Sequence, residues 1–368
     1  MNKKFLKNIE WSILICVVIL ITIGCVALYS ATINTQHDEL IKQLIWLGIS
    51  IPIMLIVIFV DYDLIIKCSP IAYIIMLFLL VGVLFTEPIN GATSWYQITD
   101  SISFQPSELA KIIFIMFMAY GINKLQMKGK DEINKPWKLL VALAIVAVPL
   151  LLIIKQPDFG TALAYITATV FIIFSAGIDK KYIITVIAII VIAAPFIYGA
   201  LPEHALKRIN VFLDPESDAR GAGYNVIQSK LAIGAGKIFG MGLLKGNQTQ
   251  LGFLHPKTTD FIFSVIGEEL GFVATGSIVI LYTMLITKAI YIAKTAKDNV
   301  GSYIAIGIAG ILSFHMIENI GMTIGLLPIT GVPLPFVSYG GSSLITNFIF
   351  IGMLLNISAR RQKSIFVE

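Results

Sequence analysis

The feature that most constrains this chain is a series of continuous apolar runs, most of them close to twenty residues long. At 1.5 Å per residue, about twenty residues of helix cross the ~30 Å hydrocarbon core of a bilayer. A membrane β-barrel would instead show ~10-residue segments of alternating hydrophobicity. Because lipid leaves no backbone polar group unpaired, runs of this length predict membrane-spanning α-helices.

Composition supports the same fold class. The 368 residues are 57% hydrophobic and 13% charged, whereas a soluble domain has about 45–50% apolar and about 25% charged residues. A soluble enzyme, a disordered chain and a coiled coil are therefore excluded. The net charge of +5 does not indicate nucleic-acid binding, because the basic residues fall between the apolar runs. We expect an all-α polytopic integral membrane protein.

The apolar runs predict ten spans, and the basic residues predict their orientation. The spans are expected near residues 11–31, 43–60, 69–86, 107–122, 138–154, 160–177, 182–200, 261–287, 301–325 and 342–357. If the N-terminus is cytoplasmic, 17 Lys and Arg residues lie on the cytoplasmic side and 2 lie in the short outside loops. Cytoplasmic loops carry such an excess, so both termini are predicted to be cytoplasmic.

Residues 1–368 are expected to form one transmembrane domain with a large extracellular loop. This loop, residues 201–260 between spans seven and eight, is much longer than ordinary connections, and such loops are usually functional or disordered. Its segment Tyr224–Ile233 places Ile227 and Leu231 at helical spacing. The pattern predicts a helix that lies in the membrane interface.

Ionisable residues at the predicted outer boundary are the first candidates for function, since charges at membrane depth are costly. Glu108 and Lys111 are three residues apart, follow Gln105 closely, and can pair on one face of the fourth span. The pair is either structural or one wall of a substrate groove in which Lys111 meets an anion. Asp158, at the start of the sixth span, is expected to cap the helix or bind the loop.

A second group of ionisable residues lies in spans eight and nine. Asp260 enters span eight, where it is either a general base with a raised pKa or a helix N-cap. Glu268 and Glu269 are expected about two turns deeper, with at least one of them paired in the bundle. His315 and Glu318 are expected to form a structural hydrogen bond in preference to a proton relay or a metal site.

Motifs spread over nearly the whole chain resemble those of the SEDS family (shape, elongation, division and sporulation), the polytopic polymerases of bacterial cell-wall glycan. They comprise residues 90–95 (NGATSW), 104–111 (FQPSELAK), 156–161 (QPDFGT), 221–230 (GAGYNVIQSK), 259–263 (TDFIF), 267–271 (GEELG), 319–322 (NIGM) and 325–343 (GLLPITGVPLPFVSYGGSS).

The resemblance implies a peptidoglycan glycosyltransferase that polymerises lipid II. Asp260 matches the family's catalytic carboxylate. The departing diphosphate is expected to meet Lys111, Arg208 or a divalent cation, Mg²⁺ or Mn²⁺, near Glu108, and no organic cofactor is implied. The matched motifs also place Gln105 and Asp158 among the expected substrate-binding residues.

The resemblance also implies partners and a branch of the family. The chain has no S-x-x-K motif of a penicillin-type acyl transferase, so a class B penicillin-binding protein is expected to supply the crosslinking. The segment 245–254 (KGNQTQLGFL) is most similar to RodA-type members, which act in cell elongation. A division or sporulation paralogue and a lipid II flippase remain alternatives. Thr258 and Ser103 stand where relatives often carry His and Arg.

Overall fold

A computed structural model describes residues 3–88, 92–99, 102–200, 203–218 and 221–361 of the chain. Its α-helices are α1 (Lys3–Asn8), α2 (Trp11–Ala31), α3 (Asp38–Phe59), α4 (Tyr62–Gly82), α5 (Pro106–Leu125), α6 (Pro136–Lys155), α7 (Phe159–Ser175), α8 (Lys180–Ala200), α9 (Glu203–Leu213), α10 (Ala222–Gly236), α11 (Asn247–Gln250), α12 (Ile262–Thr295), α13 (Asn299–Thr323) and α14 (Gly341–Ala359). Four 3₁₀-helices cover Ile33–Thr35, Val83–Phe85, Lys130–Asn134 and Pro215–Asp218.

The ten long helices, α2–α8 and α12–α14, overlap the ten predicted spans, with differences at their ends and a break inside α12. Seven described helices are long and apolar enough to cross a membrane: α2, α3, α6, α12, α13, α14, and α4 with the 3₁₀ turn that follows it. Helix α7 is apolar but shorter. The prediction of an all-α polytopic membrane protein is therefore confirmed.

The helices differ in how much of their surface the bundle covers. In the most apolar window of α14, 83% of the residues are buried, against 22% in α3, which packs beside it. Apolar side chains such as Ile56, Phe78 and Phe174 remain exposed on the outer helices. This distribution is expected when lipid is the solvent of the outer helices, so α14 and α13 form the centre of the bundle.

The described part of the chain contains one β-sheet, a short antiparallel pair of strands. Strand β1 (Tyr96–Thr99) pairs with β2 (Ile102–Phe104), with Tyr96 opposite Phe104. The hairpin leads directly into α5, whose first residue, Pro106, suits a helix start because its missing N–H would have had no intrahelical partner.

The prediction of one continuous eighth span is wrong, because α12 is interrupted at Gly271. This residue has φ 75° and ψ −170°, a conformation that glycine adopts without steric cost. The loop backbone passes the break, where Lys237 O accepts from Phe272 N at 2.9 Å and Ile238 O accepts from Val273 N at 3.1 Å. Residues 262–270 therefore form a separate short helix ahead of the span.

The long loop between α8 and α12 contains α9, a 3₁₀ turn, α10 and α11. The helix predicted at Tyr224–Ile233 is confirmed as part of α10. Its buried side includes Val226, Ser229 and Ala232, while Leu231 is 52% exposed. Ser229 Oγ lies 2.6 Å from both Ser264 Oγ and the carbonyl of Thr323. These contacts hold α10 on the short helix 262–270 and on the end of α13.

Candidate active site

The predicted site residues meet in one cavity. It has a volume of about 440 Å³ and lies where α5, α7 and α14 begin, beside the loop that follows α13. Such a volume is within the usual range for sites of small ligands. All six residues expected to act in catalysis or substrate binding line it: Gln105, Glu108, Lys111, Asp158, Arg208 and Asp260. The roles expected of them remain predictions, but their proximity is established.

A buried lysine forms the centre of the wall contributed by α5. Lys111 is 1% exposed, and its Nζ lies 2.6 Å from Glu108 Oε1 and 3.0 Å from His315 Nε2. His315 Nδ1 lies 3.0 Å from the carbonyl oxygen of Pro333. Because a carbonyl only accepts, Nδ1 carries the ring hydrogen, and Nε2 of the neutral ring accepts from the ammonium. Two of the three ammonium hydrogens are thus used within the protein.

His315 and Glu318, both within the described part of the chain, do not form the expected hydrogen bond with each other. Each of the two side chains instead bonds to the loop after α13. Glu318 Oε1 accepts from Thr330 Oγ1 at 2.8 Å, while His315 donates to Pro333 O. Since both Thr330 and Pro333 line the cavity, this face of α13 holds one cavity wall in place.

Asp158 caps α7, as expected, and also lines the cavity. Its Oδ1 accepts from Thr161 N at 3.0 Å, and its Oδ2 accepts from Gln105 Nε2 at 2.9 Å. Burial raises the pKa of the Asp158 carboxyl, and the hydrogen bonds from Thr161 oppose that rise. The cap therefore connects the start of α7 to the start of α5.

The N-cap alternative for Asp260 is wrong. The cap residue of α12 is Phe261, and this residue makes no side-chain cap hydrogen bond. Asp260 is partly buried, and this burial raises the pKa of its carboxyl, while a hydrogen bond from Thr259 and the charges of Arg208 and His255 lower it. A carboxylate with a raised pKa on a cavity wall has the properties of a general base.

Asn319 fixes the backbone of Asp260, a contact that the sequence analysis missed. Its Nδ2 donates to Asp260 O at 3.0 Å and to Val332 O at 2.8 Å, and the side chain is completely buried. Trp95 also lines the cavity. Both residues lie in the motifs used for the resemblance, which was the available signal, but spacing along the chain could not show what they contact.

Glu268 and Glu269 do not lie two turns deep in a span, because the break at Gly271 separates them from it. Glu268 accepts from the backbone amides of Gln248 at 2.7 Å and Thr249 at 3.0 Å. Glu269 Oε1 accepts from Ser30 Oγ at 2.7 Å, at the end of α2. The expected pairing of at least one of them in the bundle is met by this hydrogen bond. The two carboxylates fasten α11 to the bundle.

The donor set for a divalent cation is sparse. Within the described residues, no three His, Cys, Asp or Glu side chains come together to hold a metal ion. Glu108, the ligand expected from the sequence, is already paired with Lys111. A metal ion at Glu108 stays a prediction, to be tested with chelators, and we assign no step to it.

Comparisons with known proteins show the family of this chain. Residues 10–363 match the model of the FtsW/RodA/SpoVE family, described as "cell cycle protein". The probable peptidoglycan glycosyltransferase FtsW of Trichlorobacter lovleyi is 38% identical over 373 residues, covering 98% of this chain and 96% of that protein. The peptidoglycan glycosyltransferase MrdB of Escherichia coli K12 is 38% identical over 302 residues, covering 80% and 78%.

A solved structure shares the fold. Its description reads "Structural coordination of polymerization and crosslinking by a peptidoglycan synthase complex". It superposes on this chain with a TM-score of 0.83 at 25% sequence identity. The match covers 95% of this chain and 97% of that one.

Removal of the Lys111 charge should lower the free energy of unfolding, because the Glu108 carboxylate then stays buried without its ion-pair partner. We expect Lys111→Ala to lower the free energy of unfolding by about 3–5 kcal/mol, measured by thermal unfolding in detergent. Glu108→Ala combined with Lys111→Ala should recover part of that loss. The exposed pair Asp38–Lys42 is the control, because Lys42→Ala should cost at most about 1 kcal/mol. Equal losses in the two lysine variants would contradict a buried ion pair.

Proposed function

Because this chain belongs to the FtsW/RodA/SpoVE family of cell cycle proteins, we propose that it is a peptidoglycan glycosyltransferase that polymerises lipid II in the bacterial cytoplasmic membrane. Relatives with this activity in their names cover most of the chain at 38% identity. The observation that carries the proposal is the convergence of all six expected site residues on one cavity.

The reaction assigned to the cavity is a displacement at the reducing-end sugar of the growing strand. The 4-hydroxyl of an incoming lipid II attacks C1 of that sugar, a new C1–O bond forms, and the bond from C1 to the lipid diphosphate breaks. Asp260 takes the proton of the hydroxyl, and undecaprenyl diphosphate leaves. The raised pKa of this carboxyl suits proton acceptance near neutral pH.

The cations of the cavity serve the leaving group. The diphosphate gains negative charge as the C1–O bond breaks, and preorganised donors at that position lower the barrier. Lys111 retains one ammonium hydrogen beyond its bonds to Glu108 and His315, and Arg208 lines the same cavity. Gln105 and Asp158, bonded to each other, form a polar wall for the sugar hydroxyls.

We further propose that the cavity faces outward. This orientation follows from the bias of 17 basic residues against 2. The test uses a chain without its native cysteines that carries either Lys245→Cys or Lys128→Cys, since both lysines are exposed. A membrane-impermeant reagent added outside should label Lys245→Cys and leave Lys128→Cys unlabelled.

The position of the buried charges favours a polymerase over a flippase. Glu108 and Lys111 lie in the first turns of α5, and His315 lies in the second half of α13, so they meet at the same end of the bundle as Asp260. A flippase needs polar groups along a path through the whole bilayer. A pure scaffold would not need the cavity at all.

We assign the chain to the elongation branch, with a class B penicillin-binding protein as its partner. Relatives named FtsW and MrdB are each 38% identical to it over their matched lengths, so the assignment is based on the segment 245–254. The relative of known structure comes from a complex that joins polymerization to crosslinking. Rescue of rod shape, but not of division, in cells depleted of each paralogue would support this branch.

Asp260→Asn should lower polymerisation by about 10²–10⁴-fold, because an amide cannot accept the proton. Folding should be preserved, since Asp260 does not cap α12 and its contact with Asn319 is made by the backbone. The measurement is glycan formation from lipid II by purified protein with its partner. Asp38→Asn, at an exposed aspartate, is the control. Near-normal polymerisation by Asp260→Asn would refute the catalytic assignment.

The pH dependence should report the Asp260 carboxyl. A base acts only when deprotonated, so activity is present above its pKa and is lost as pH falls through it. Because burial raises this pKa, the acid limb should lie above the ordinary Asp value of about 3.9. Arg208→Gln removes a positive charge that lowers the pKa and should move the limb to higher pH, whereas Lys207→Gln, at an exposed neighbour, should not. The measurement is the initial rate of polymerisation as a function of pH. An acid limb at the same pH in Arg208→Gln as in the parent chain would count against Asp260 as the base.

Asn319→Leu should reduce the polymerisation rate by about tenfold or more, because Asp260 and Val332 lose the amide that fixes their backbones and a misplaced catalytic group slows the reaction. Asn356→Leu is a matched control, since the amide of Asn356 also donates to two carbonyls, those of Val57 and Val60, at the other end of α14. Both variants should lose about 1–3 kcal/mol of stability. Rates are compared per folded protein, and an equal loss of rate in both variants would show that Asn319 is only structural.

A further inference from the structure

A buried amide on α3 holds the loop that leads into α14. Gln43 is 3% exposed, although α3 buries little of its surface. Its Nε2 donates to Ser338 O at 3.2 Å, and its Oε1 accepts from Gly340 N at 3.2 Å. The side chain therefore bonds to the loop backbone on both sides of Tyr339. Gln43 is not among the described residues that line the cavity, so a contact with substrate does not account for it.

Trp46, one turn further along α3, supports the same loop. Its ring lies on Gly341, where an added Cβ would be 2.5 Å from Trp46 Nε1 and 2.8 Å from Trp46 Cδ2. A side chain at this position would clash with the ring, so the glycine is what lets the ring approach the backbone. Gln43 and Trp46 are three residues apart and face the loop together. One face of α3 thus supports the start of α14.

The loop held by α3 also bonds to the backbone that precedes Asp260. Ser338 Oγ donates to Thr259 O at 2.7 Å, and Tyr339 N donates to Thr258 O at 2.9 Å. These two carbonyls belong to the residues immediately before the carboxylate. A displacement of the loop would therefore displace the cavity wall that carries Asp260.

The same loop fixes the start of α5. Ser342 Oγ accepts from Gln105 N at 3.2 Å, and the side chain of Gln105 donates to Asp158 Oδ2 at 2.9 Å. All three residues line the cavity. The segment 338–342 is therefore shared by two cavity walls, and α3 supports it from outside the cavity.

A simpler explanation is that Gln43 only stabilises the start of α14, whose cap residue is Gly340. That role needs a single bond, the one that Gln43 accepts from Gly340 N, because a helix start leaves N–H groups without partners. It makes no demand on a carbonyl ahead of the helix. The second bond, to Ser338 O, instead holds the residue whose hydroxyl binds Thr259 O. Both bonds together are explained by support of the cavity wall.

We propose that Gln43 is a positioning residue, which fixes the Asp260 backbone through the loop 338–342. The inference rests on the proposed function for its effect on rate, since the position of this wall matters to the rate only if the reaction takes place there. A displacement of about 1 Å can slow a reaction by about 10²-fold. The side chains that meet the substrate are unchanged, so the loss is expected in kcat and not in KM.

Gln43→Met tests the proposal, because methionine keeps the length of the side chain and forms neither hydrogen bond. With lipid II, the full chain and its partner, kcat should fall about tenfold and KM should change less than about twofold. Gln126→Met is the matched control. Gln126 is also a buried amide that donates to two carbonyls, those of Lys130 and Ala176, but it lies at the end of α5 that is remote from the cavity.

Thermal unfolding separates stability from positioning. Both variants should unfold at similarly lowered temperatures, and only Gln43→Met should lower kcat per folded protein. An equal loss of kcat in Gln126→Met would show that Gln43 is only structural. A raised KM with unchanged kcat would also overturn the proposal, because it would place Gln43 in substrate binding.

Hydrogen exchange reports the order of the wall without any activity. The N–H groups of Tyr339 and Phe261 donate to carbonyls within residues 256–258 and not to Gln43. Peptides that carry these two amides should exchange faster in Gln43→Met than in the parent chain, and Gln126→Met should leave them unchanged. Unchanged exchange in Gln43→Met would overturn the proposal, and so would faster exchange with unchanged kcat.

Gly341→Ala provides a second variant, which keeps the proposal testable if Gln43→Met does not fold. The added methyl group should displace the loop from Trp46 and lower kcat, and Trp46→Leu in the same chain should recover part of the loss. No recovery would show that α3 does not hold the loop. If the parent chain does not polymerise lipid II but exchange depends on Gln43, the proposed function fails and the support of the wall stands. Polymerisation with exchange independent of Gln43 overturns the positioning role alone.

Discussion

A lysine ammonium that is 1% exposed inside a helix bundle is stable only when other groups replace the water it has lost. Glu108, on the same helix, supplies the opposite charge, and His315 on α13 supplies a neutral acceptor. The His315 ring can act in this way because its Nδ1–H donates a hydrogen bond to Pro333 O, which leaves Nε2 as the acceptor. One buried charge thus links α5, α13 and the loop after α13, and these three elements form the cavity walls.

Helix α13, which contacts the Lys111 ammonium, also fixes the position of Asp260. Asn319 is one helical turn beyond His315 on α13, and its amide holds both the loop at Val332 and the backbone of Asp260. The position of the carboxylate is therefore fixed through its main chain, and the carboxylate is not used as a helix cap. A helix cap would have used the carboxylate oxygens themselves, and the absence of that cap at Phe261 is what makes a base at this position physically reasonable.

The helices could be predicted from the sequence because the length of an apolar run directly reports what a bilayer requires. Five of the six cavity residues lie in motifs that carried a resemblance, so their proximity could be expected while their roles stay predictions, and the Glu108–Lys111 pair followed from helical spacing. The contact between Lys111 and His315 could not be predicted, since it joins residues 204 positions apart. The break at Gly271 was also missed, because an isolated glycine in an apolar run is compatible with an unbroken helix.

That break explains how Arg208 reaches the cavity. If α12 were continuous, residues 262–270 would belong to the span, and α10 would lose the support that Ser229 finds on Ser264. Because the helix stops at Gly271, the loop backbone can pass the break, and Glu268 with Glu269 can fasten α11 to the bundle. The loop between α8 and α12 is thereby fixed on both sides of the break. Helix α9, which packs on α10 and the adjoining 3₁₀ turn, then carries its arginine to the same cavity as Asp260.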